Sequence, residues 1–77
     1  MEVLWISEQK KRINFTVVCV NEFAQQYNLG VQEAFRYLFQ FKGISFLKEN
    51  YEAEHTLDFA TVIEDLGIVC RKNGGKL

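Results

Sequence analysis

The sequence predicts an all-α fold, a small bundle of three longer helices and one short helix. Apolar residues recur at alternating spacings of three and four along most of the chain, which is the repeat of one helix face. The 77 residues include no proline, the residue that most often interrupts a helix. With 48% hydrophobic and 25% charged residues, the chain has enough apolar material for one packed core. We therefore expect a single helical domain over residues 1–77.

The first helix is predicted to begin after Ser7, whose hydroxyl can accept a hydrogen bond from the first turn. Residues 1–6 then form an apolar arm before it. The helix carries a stripe of apolar residues, namely Ile13, Val17, Val20, Ala24 and Tyr27, widened by Phe15, Cys19 and Phe23. The β-branched run over residues 17–20 also suits a buried strand, but the periodicity extends well beyond strand length. The helix should end near Asn28, because asparagine tolerates the left-handed conformation.

The second helix is predicted to begin after Gly30, with Glu33 at the third helical position as half of a capping box. It should end at Lys42 and Gly43. One face of this helix carries four apolar residues: Val31, Ala34, Phe35 and Leu38. A short third helix over residues 44–50 spans only about two turns, so tertiary packing must hold it.

The last helix is predicted to have Thr56 as its N-cap and Asp58 in its first turn, where a carboxylate suits the helix dipole. Its apolar stripe consists of Phe59, Ile63, Leu66 and Cys70, and its last turn carries Arg71 and Lys72. Residues 73–77 form a tail that we expect to fray.

Several of these segments together resemble a known family of short bacterial proteins. The resemblance rests on Asn14-Phe15, Glu22-Phe23-Ala24, Asn28-Leu29-Gly30, Glu33-Ala34-Phe35-Arg36-Tyr37-Leu38, Asn50-Tyr51, His55-Thr56 and Ile63-Glu64-Asp65. In this order they resemble the domain-of-unknown-function 3791 family over about residues 11–65. The family has no established activity, so the resemblance transfers no catalytic residue. Some members lie beside genes for proteins similar to ADP-ribosyltransferases, which implies a partner-binding, antitoxin-like role.

Charge and hydropathy bear on the class of function. The net charge of −1 provides no overall field that would attract nucleic acid or anionic lipid. No apolar run approaches the roughly 20 residues that span a bilayer, and the first residues lack the pattern of a signal peptide. We expect a cytoplasmic protein without a membrane partner. Its two cysteines, Cys19 and Cys70, should then be reduced thiols in the core.

The strongest candidate for chemistry is His55, because the carboxylate of Glu54 beside it could orient a general base. The alternative is a structural histidine that packs over the start of the last helix. No nucleophile or oxyanion element accompanies the pair, and His55, Cys19 and Cys70 are too few for a metal site. The sequence therefore predicts neither an enzyme, nor a cofactor, nor a bound metal.

Two patterns leave alternatives open. A helix-turn-helix can be laid over residues 24–34, with Gln32, Glu33, Arg36 and Gln40 on the polar face of its second helix. A single arginine makes nucleic acid a weak expectation as partner. The other pattern is the run Lys10, Lys11 and Arg12, which would oppose the dipole of a helix that began at Ser7. Either the helix starts earlier, or these cations meet the acidic later part of the chain, or they form a solvated end.

The function that the sequence favours is a protein-interaction or assembly module, either a homo-oligomer or the smaller half of a hetero-complex. Eleven aromatic residues, counted as seven Phe, three Tyr and one Trp, exceed what so small a core can hide. Val17 and Phe35 are predicted to be buried in that core. The aromatic residues left for an interface are Trp5, Phe39 and Phe46.

Overall fold

The computed structural model describes the backbone of residues 2–77 and the side chains of residues 7–77. Five helices follow one another: α1 (Glu2–Gln26), α2 (Val31–Gln40), α3 (Gly43–Glu49), α4 (Tyr51–Glu54) and α5 (Phe59–Lys72). No strand occurs within residues 2–77. The all-α fold with three longer helices is confirmed. The one-turn helix α4 was not predicted, because four residues carry too little periodicity to recognise.

Helix α1 begins at Glu2, so residues 2–6 are helical where an arm over residues 1–6 was predicted, and the predicted cap at Ser7 is wrong. Nothing in the first residues stops a helix from extending backwards. Lys10, Lys11 and Arg12 consequently lie beyond the first turns, where the dipole no longer opposes them. Arg12 also donates to the Glu52 carboxylate at 3.1 Å. The earlier start of the helix is therefore confirmed for the whole run, the contact with an acidic residue is confirmed for Arg12, and Lys10 and Lys11 are exposed without an ion pair within residues 7–77.

The turn from α1 to α2 follows the prediction closely. Helix α1 ends at Gln26, and Asn28 adopts the left-handed conformation with a φ of 53°. The Leu29 amide donates to the Ala24 carbonyl at 2.8 Å, which closes the end of α1. Gly30 is the N-cap of α2, and its amide donates to Glu33 Oε1 at 3.2 Å.

Helix α5 begins two residues later than predicted, because Asp58 and not Thr56 is its N-cap. The Asp58 carboxylate accepts from the Thr61 amide at 2.8 Å, and hydrogen bonds from Thr61 hold the pKa of Asp58 below its usual range. The Thr56 hydroxyl instead donates to the Ala53 carbonyl at 2.7 Å, which closes α4. Both residue types suit an N-cap, so the local sequence did not decide between them.

The core lies where the C-terminal half of α1 meets α2, α3 and α5. Its buried members are Cys19, Val20, Phe23, Ala24, Ala34, Leu38, Leu47, Val62, Ile63, Leu66 and Cys70. The prediction that Val17 and Phe35 belong to it is wrong, since they are 52% and 45% exposed. With 25 residues α1 is about 37 Å long, whereas α2 and α5 are about 15 and 21 Å long. The shorter helices cannot cover both halves of α1.

The tail that we expected to fray returns to the bundle. The Gly75 amide donates to the Cys70 carbonyl at 2.8 Å, directly after α5. Farther along, the Leu77 amide donates to the Tyr37 hydroxyl at 3.0 Å. The end of the chain is thereby tied to α2.

Candidate protein-binding groove

A groove runs between the middle of α1 and the helices α2 and α3. It consists of two adjoining clefts of about 360 and 530 Å³, which share Thr16, Val17 and Phe35 in their walls. The α1 wall spans residues 9–20, a length of about 16 Å along the helix. We refer to this continuous depression as the groove.

The walls of the groove are mainly apolar. They are formed by Ile13, Val17 and Val20 of α1, Val31 and Phe35 of α2, and Ile44 and Leu47 of α3. Beside it, Phe39 is 67% exposed, and its ring stacks on that of Phe35 with the centroids 6.1 Å apart. A contiguous exposed apolar surface of this kind marks interaction sites more often than isolated apolar residues do.

The charged residues that line the groove are all cations. They are Arg12, Arg36 and Lys48, and no carboxylate lines it among the side chains that the structure describes. Arg12 is already paired with Glu52, whereas no ion pair within residues 7–77 involves Arg36 or Lys48. The groove thus joins an apolar interior to a positive rim.

A separate cleft outside the groove, between α1 and α5, has the opposite charge. Its volume is about 420 Å³, and its walls include Glu22, Glu64, Phe59 and Ile63 but no cation among the described residues. Glu22 follows Ile13 by nine residues, which places it half a helical turn away, on the opposite side of α1. The two sides of α1 therefore present surfaces of opposite charge.

The three predicted interface residues have different surroundings. Phe39 lies exposed beside the groove. Phe46 is half-buried and packs against the core of its own chain, which accounts for part of its apolar surface without a partner. Trp5 belongs to α1 by its backbone, but its side chain lies outside the described residues.

The candidate pair His55 and Glu54 is not joined by a hydrogen bond or an ion pair. His55 is exposed at the end of α4, where its Nδ1 lies 2.7 Å from the Tyr51 carbonyl oxygen. Its ring stacks on the Tyr51 ring with the centroids 4.5 Å apart. Arg12 lies 4.7 Å from the centroid of that same ring. Both contacts of His55 are thus with Tyr51 of its own helix, and it is Arg12 that joins this ring to α1.

Glu54 is the buried member of the pair, with only 6% of its surface exposed. Its Oε1 has no hydrogen-bond partner among the described residues. Burial and, to a smaller extent, the nearby Asp65 carboxyl group together raise the pKa of Glu54 to about 7. A protonated Glu54 can donate a hydrogen bond to Asp65, which a charged one cannot.

Both cysteines are free and buried, as the sequence predicted. Burial raises the pKa of Cys19 to about 12, and the charges of Glu54 and Glu22 act in the same direction. Burial also raises the pKa of Cys70. Thiols with raised pKa values react slowly, because the thiolate is the reactive form. Within the described part of the chain, no three His, Cys, Asp or Glu side chains are grouped to hold a metal ion.

The groove was not predicted, because its central residues Val17 and Phe35 were assigned to the core. One signal could have revealed it. The apolar stripe of α1 begins at Ile13 and is longer than the ten-residue α2 that packs against it. An apolar stripe that is longer than the helix packed against it must leave apolar residues exposed at one end.

Comparison with known proteins completes the description of the chain. None of the described helices combines the length and apolarity of a membrane span. Neither the curated proteins nor the solved structures gave a significant match. The family model described as "Protein of unknown function (DUF3791)" matches residues 14–73. Because this match covers most of the chain, the protein belongs to the DUF3791 family, as the resemblance of its motifs predicted.

Proposed function

We propose that this protein is a protein-binding module that holds another polypeptide in the groove. The bound chain is either a second copy or a partner protein for which this chain is the smaller subunit. The observation that carries the proposal is the exposure of Ile13, Val17 and Phe35 side by side, at 62%, 52% and 45%. Covering such side chains yields roughly 25 cal/mol for each Å² of apolar surface removed from water.

Buried residues also hold the walls of the groove in place. Val17 lies three residues before the buried Val20, and Phe35 lies between the buried Ala34 and Leu38. The helices that form the walls are thus held in place by buried residues next to the groove on the same helices. A preformed site loses little conformational entropy when it binds, which favours affinity.

The alternative function, DNA binding by a helix-turn-helix, has less support from the same surface. The exposed side of α2 carries Phe35 and Phe39 in addition to Arg36. A helix that enters the major groove of DNA needs polar and cationic side chains there. Two exposed phenylalanines are more typical of a surface that binds another protein.

Two further expectations belong to this proposal. We propose no catalytic role, since His55 bonds to a backbone carbonyl and Glu54 is buried. We also propose that the protein acts in the cytoplasm. Its two free cysteines suit a reducing compartment, although they do not require one.

The proposal is tested by comparing Val17→Asp with Ile68→Asp. Both positions are exposed and helical, but Ile68 lies on α5 and does not line the groove. Sedimentation at micromolar concentration should show a concentration-dependent mass, or the protein purified from its own cells should carry a partner. Val17→Asp should abolish the association and Ile68→Asp should leave it intact.

Other results would argue against the proposal. Association that survives Val17→Asp would place the contact elsewhere on the surface. A protein that is monomeric and co-purifies with no partner would contradict the proposal. Affinity for duplex DNA that falls steeply with salt and is lost in Arg36→Glu would instead favour the helix-turn-helix function.

A further inference from the structure

We infer that the groove binds an amphipathic helix whose apolar stripe is flanked by carboxylates, and that a different protein presents this helix. The inference rests on the proposed protein-binding function and specifies the chemistry of the partner. It follows from the shape of the groove, from the charges on its rim and from the composition of α1.

The shape of the groove suits a helix. Its length of about 16 Å corresponds to about three helical turns, enough for apolar anchors at i, i+3 or i+4, and i+7. Its walls rise from α1 on one side and from α2 and α3 on the other, with the buried Val20 and Leu47 among the lining residues. An extended peptide is usually bound by the edge of a sheet, and residues 2–77 contain no strand.

The charges specify what flanks the apolar stripe of the bound helix. Arg36 lines the smaller cleft and Lys48 lines the larger one, so each part of the groove has its own cation. Neither cation has an ion pair within residues 7–77. A partner with a carboxylate facing each part of the groove would meet both cations, whereas a basic partner would be repelled.

A second copy is a poor occupant for the same reason. In a two-fold contact in which the grooves of two copies face each other, residues 9–20 of α1 meet the groove of the other copy, and they include Lys10, Lys11 and Arg12 but no carboxylate. Pairing this segment with a groove rimmed by Arg36 and Lys48 brings like charges together. The carboxylates Glu22 and Glu64 of the acidic side line a cleft, and two concave surfaces do not fill each other.

The experiment uses a display library of helical peptides about 16 residues long, which would span about 24 Å. Leucine is fixed at one stripe, and the positions flanking it are drawn equally from Glu, Gln and Lys. Selection on the full-length protein should enrich Glu over Lys. The selected peptides should bind Arg36→Glu/Lys48→Glu at least about ten-fold more weakly, because attraction at each cation becomes repulsion. A library selected on that double variant should enrich Lys instead.

Three outcomes would overturn the inference, and they differ in their meaning for the proposed function. Peptides that bind through Val17 without any preference for Glu would show a protein-binding groove whose charges do not select the partner. A groove occupied by a second copy, seen as a doubled mass that Val17→Asp abolishes, would also leave the proposed function standing. Failure of every peptide, in a protein that is monomeric and free of partners, would remove both.

Discussion

The groove and the core are made from the same helices, yet they differ in what covers them. Phe23 of α1 is fully buried, and its ring packs against those of Tyr27 and Tyr37 with the centroids 4.5 and 5.7 Å apart. Phe35 of α2 continues the same kind of apolar stripe, but it is 45% exposed. Apolar periodicity therefore identifies the side of a helix that avoids water, while the length of the neighbouring helices decides which part is covered.

Helix α1 shows this difference within one element. Its buried residues begin at Cys19, and none of residues 7–18 is buried. The residues from Cys19 onwards contribute to the core, whereas residues 9–20 form the wall of the groove, so that core and groove meet at Val20. An apolar side chain of α1 should thus contribute to stability where it lies in the core and to binding where it lines the groove. Four experiments can break or sharpen this contrast.

The largest effect is expected from Phe23→Ala compared with Phe35→Ala. Removal of the buried ring should cost about 3 to 5 kcal/mol of unfolding free energy, whereas removal of the half-exposed ring should cost about 1 kcal/mol or less. Urea unfolding measures both. Because the first variant could unfold entirely, Phe23→Leu should be included, with an expected cost below about 1.5 kcal/mol. Equal costs for the two alanine variants would erase the distinction between core and groove.

The next largest effect is expected from the ionisation of the buried Glu54. The folded pKa of Glu54, about 7, lies above its ordinary value of 4.5, so its contribution to stability is complete below pH 4.5 and is lost as the pH rises through 7. The loss should reach up to about 3 kcal/mol, at about 1.4 kcal/mol for each pKa unit. Glu54→Gln should remove this part of the pH dependence in urea unfolding at pH 5 and pH 8.

The control for this prediction is Glu49→Gln, which removes a carboxylate at an exposed position. It should keep the loss of stability between pH 5 and pH 8. If Glu54→Gln shows the same loss as the unmodified protein, the titrating group lies elsewhere.

A smaller effect is expected where core and groove meet, at Gly43. A Cβ atom there would lie 2.8 Å from Leu38 Cδ2 and 3.2 Å from Cys70 Sγ. Gly43→Ala should therefore push α3 outward, at a cost of about 1 to 3 kcal/mol. Since α3 carries Ile44 and Leu47 of the groove, binding of the selected peptides should weaken as well. The exposed Ser45→Ala is the matched control on α3, and similar melting temperatures for both variants would speak against close packing at Gly43.

The smallest effect is expected at the start of α5, which lies away from the groove. Asp58→Ala should lower the melting temperature by a few degrees, because it removes the hydrogen bond to the Thr61 amide. Thr56→Ala should lower it less, since Thr56 closes only the one-turn α4. Neither variant should change peptide binding. A larger loss from Thr56→Ala would restore Thr56 as the important cap.

The sequence by itself determined the local features of this protein. The spacing of apolar residues predicted the three longer helices, Asn28 and Gly30 predicted the turn between α1 and α2, and Cys19 and Cys70 were correctly assigned to the core. These features depend on residues within a few positions of one another, through the helix repeat and through the backbone conformations that each residue tolerates. They can be recognised without knowing where any other helix lies.

Only the tertiary structure decided which apolar residues are covered. The exposure of Val17 and Phe35, the burial of Glu54 beside Asp65 and the contact of Arg12 with Glu52, 40 residues away, all depend on how separate helices meet. The local pattern gives Val17 and Val20 the same apolar character, yet Val17 is 52% exposed and Val20 is buried in the core. The physical reason is that burial is a property of the neighbours, and the neighbours of each position are set by long-range packing.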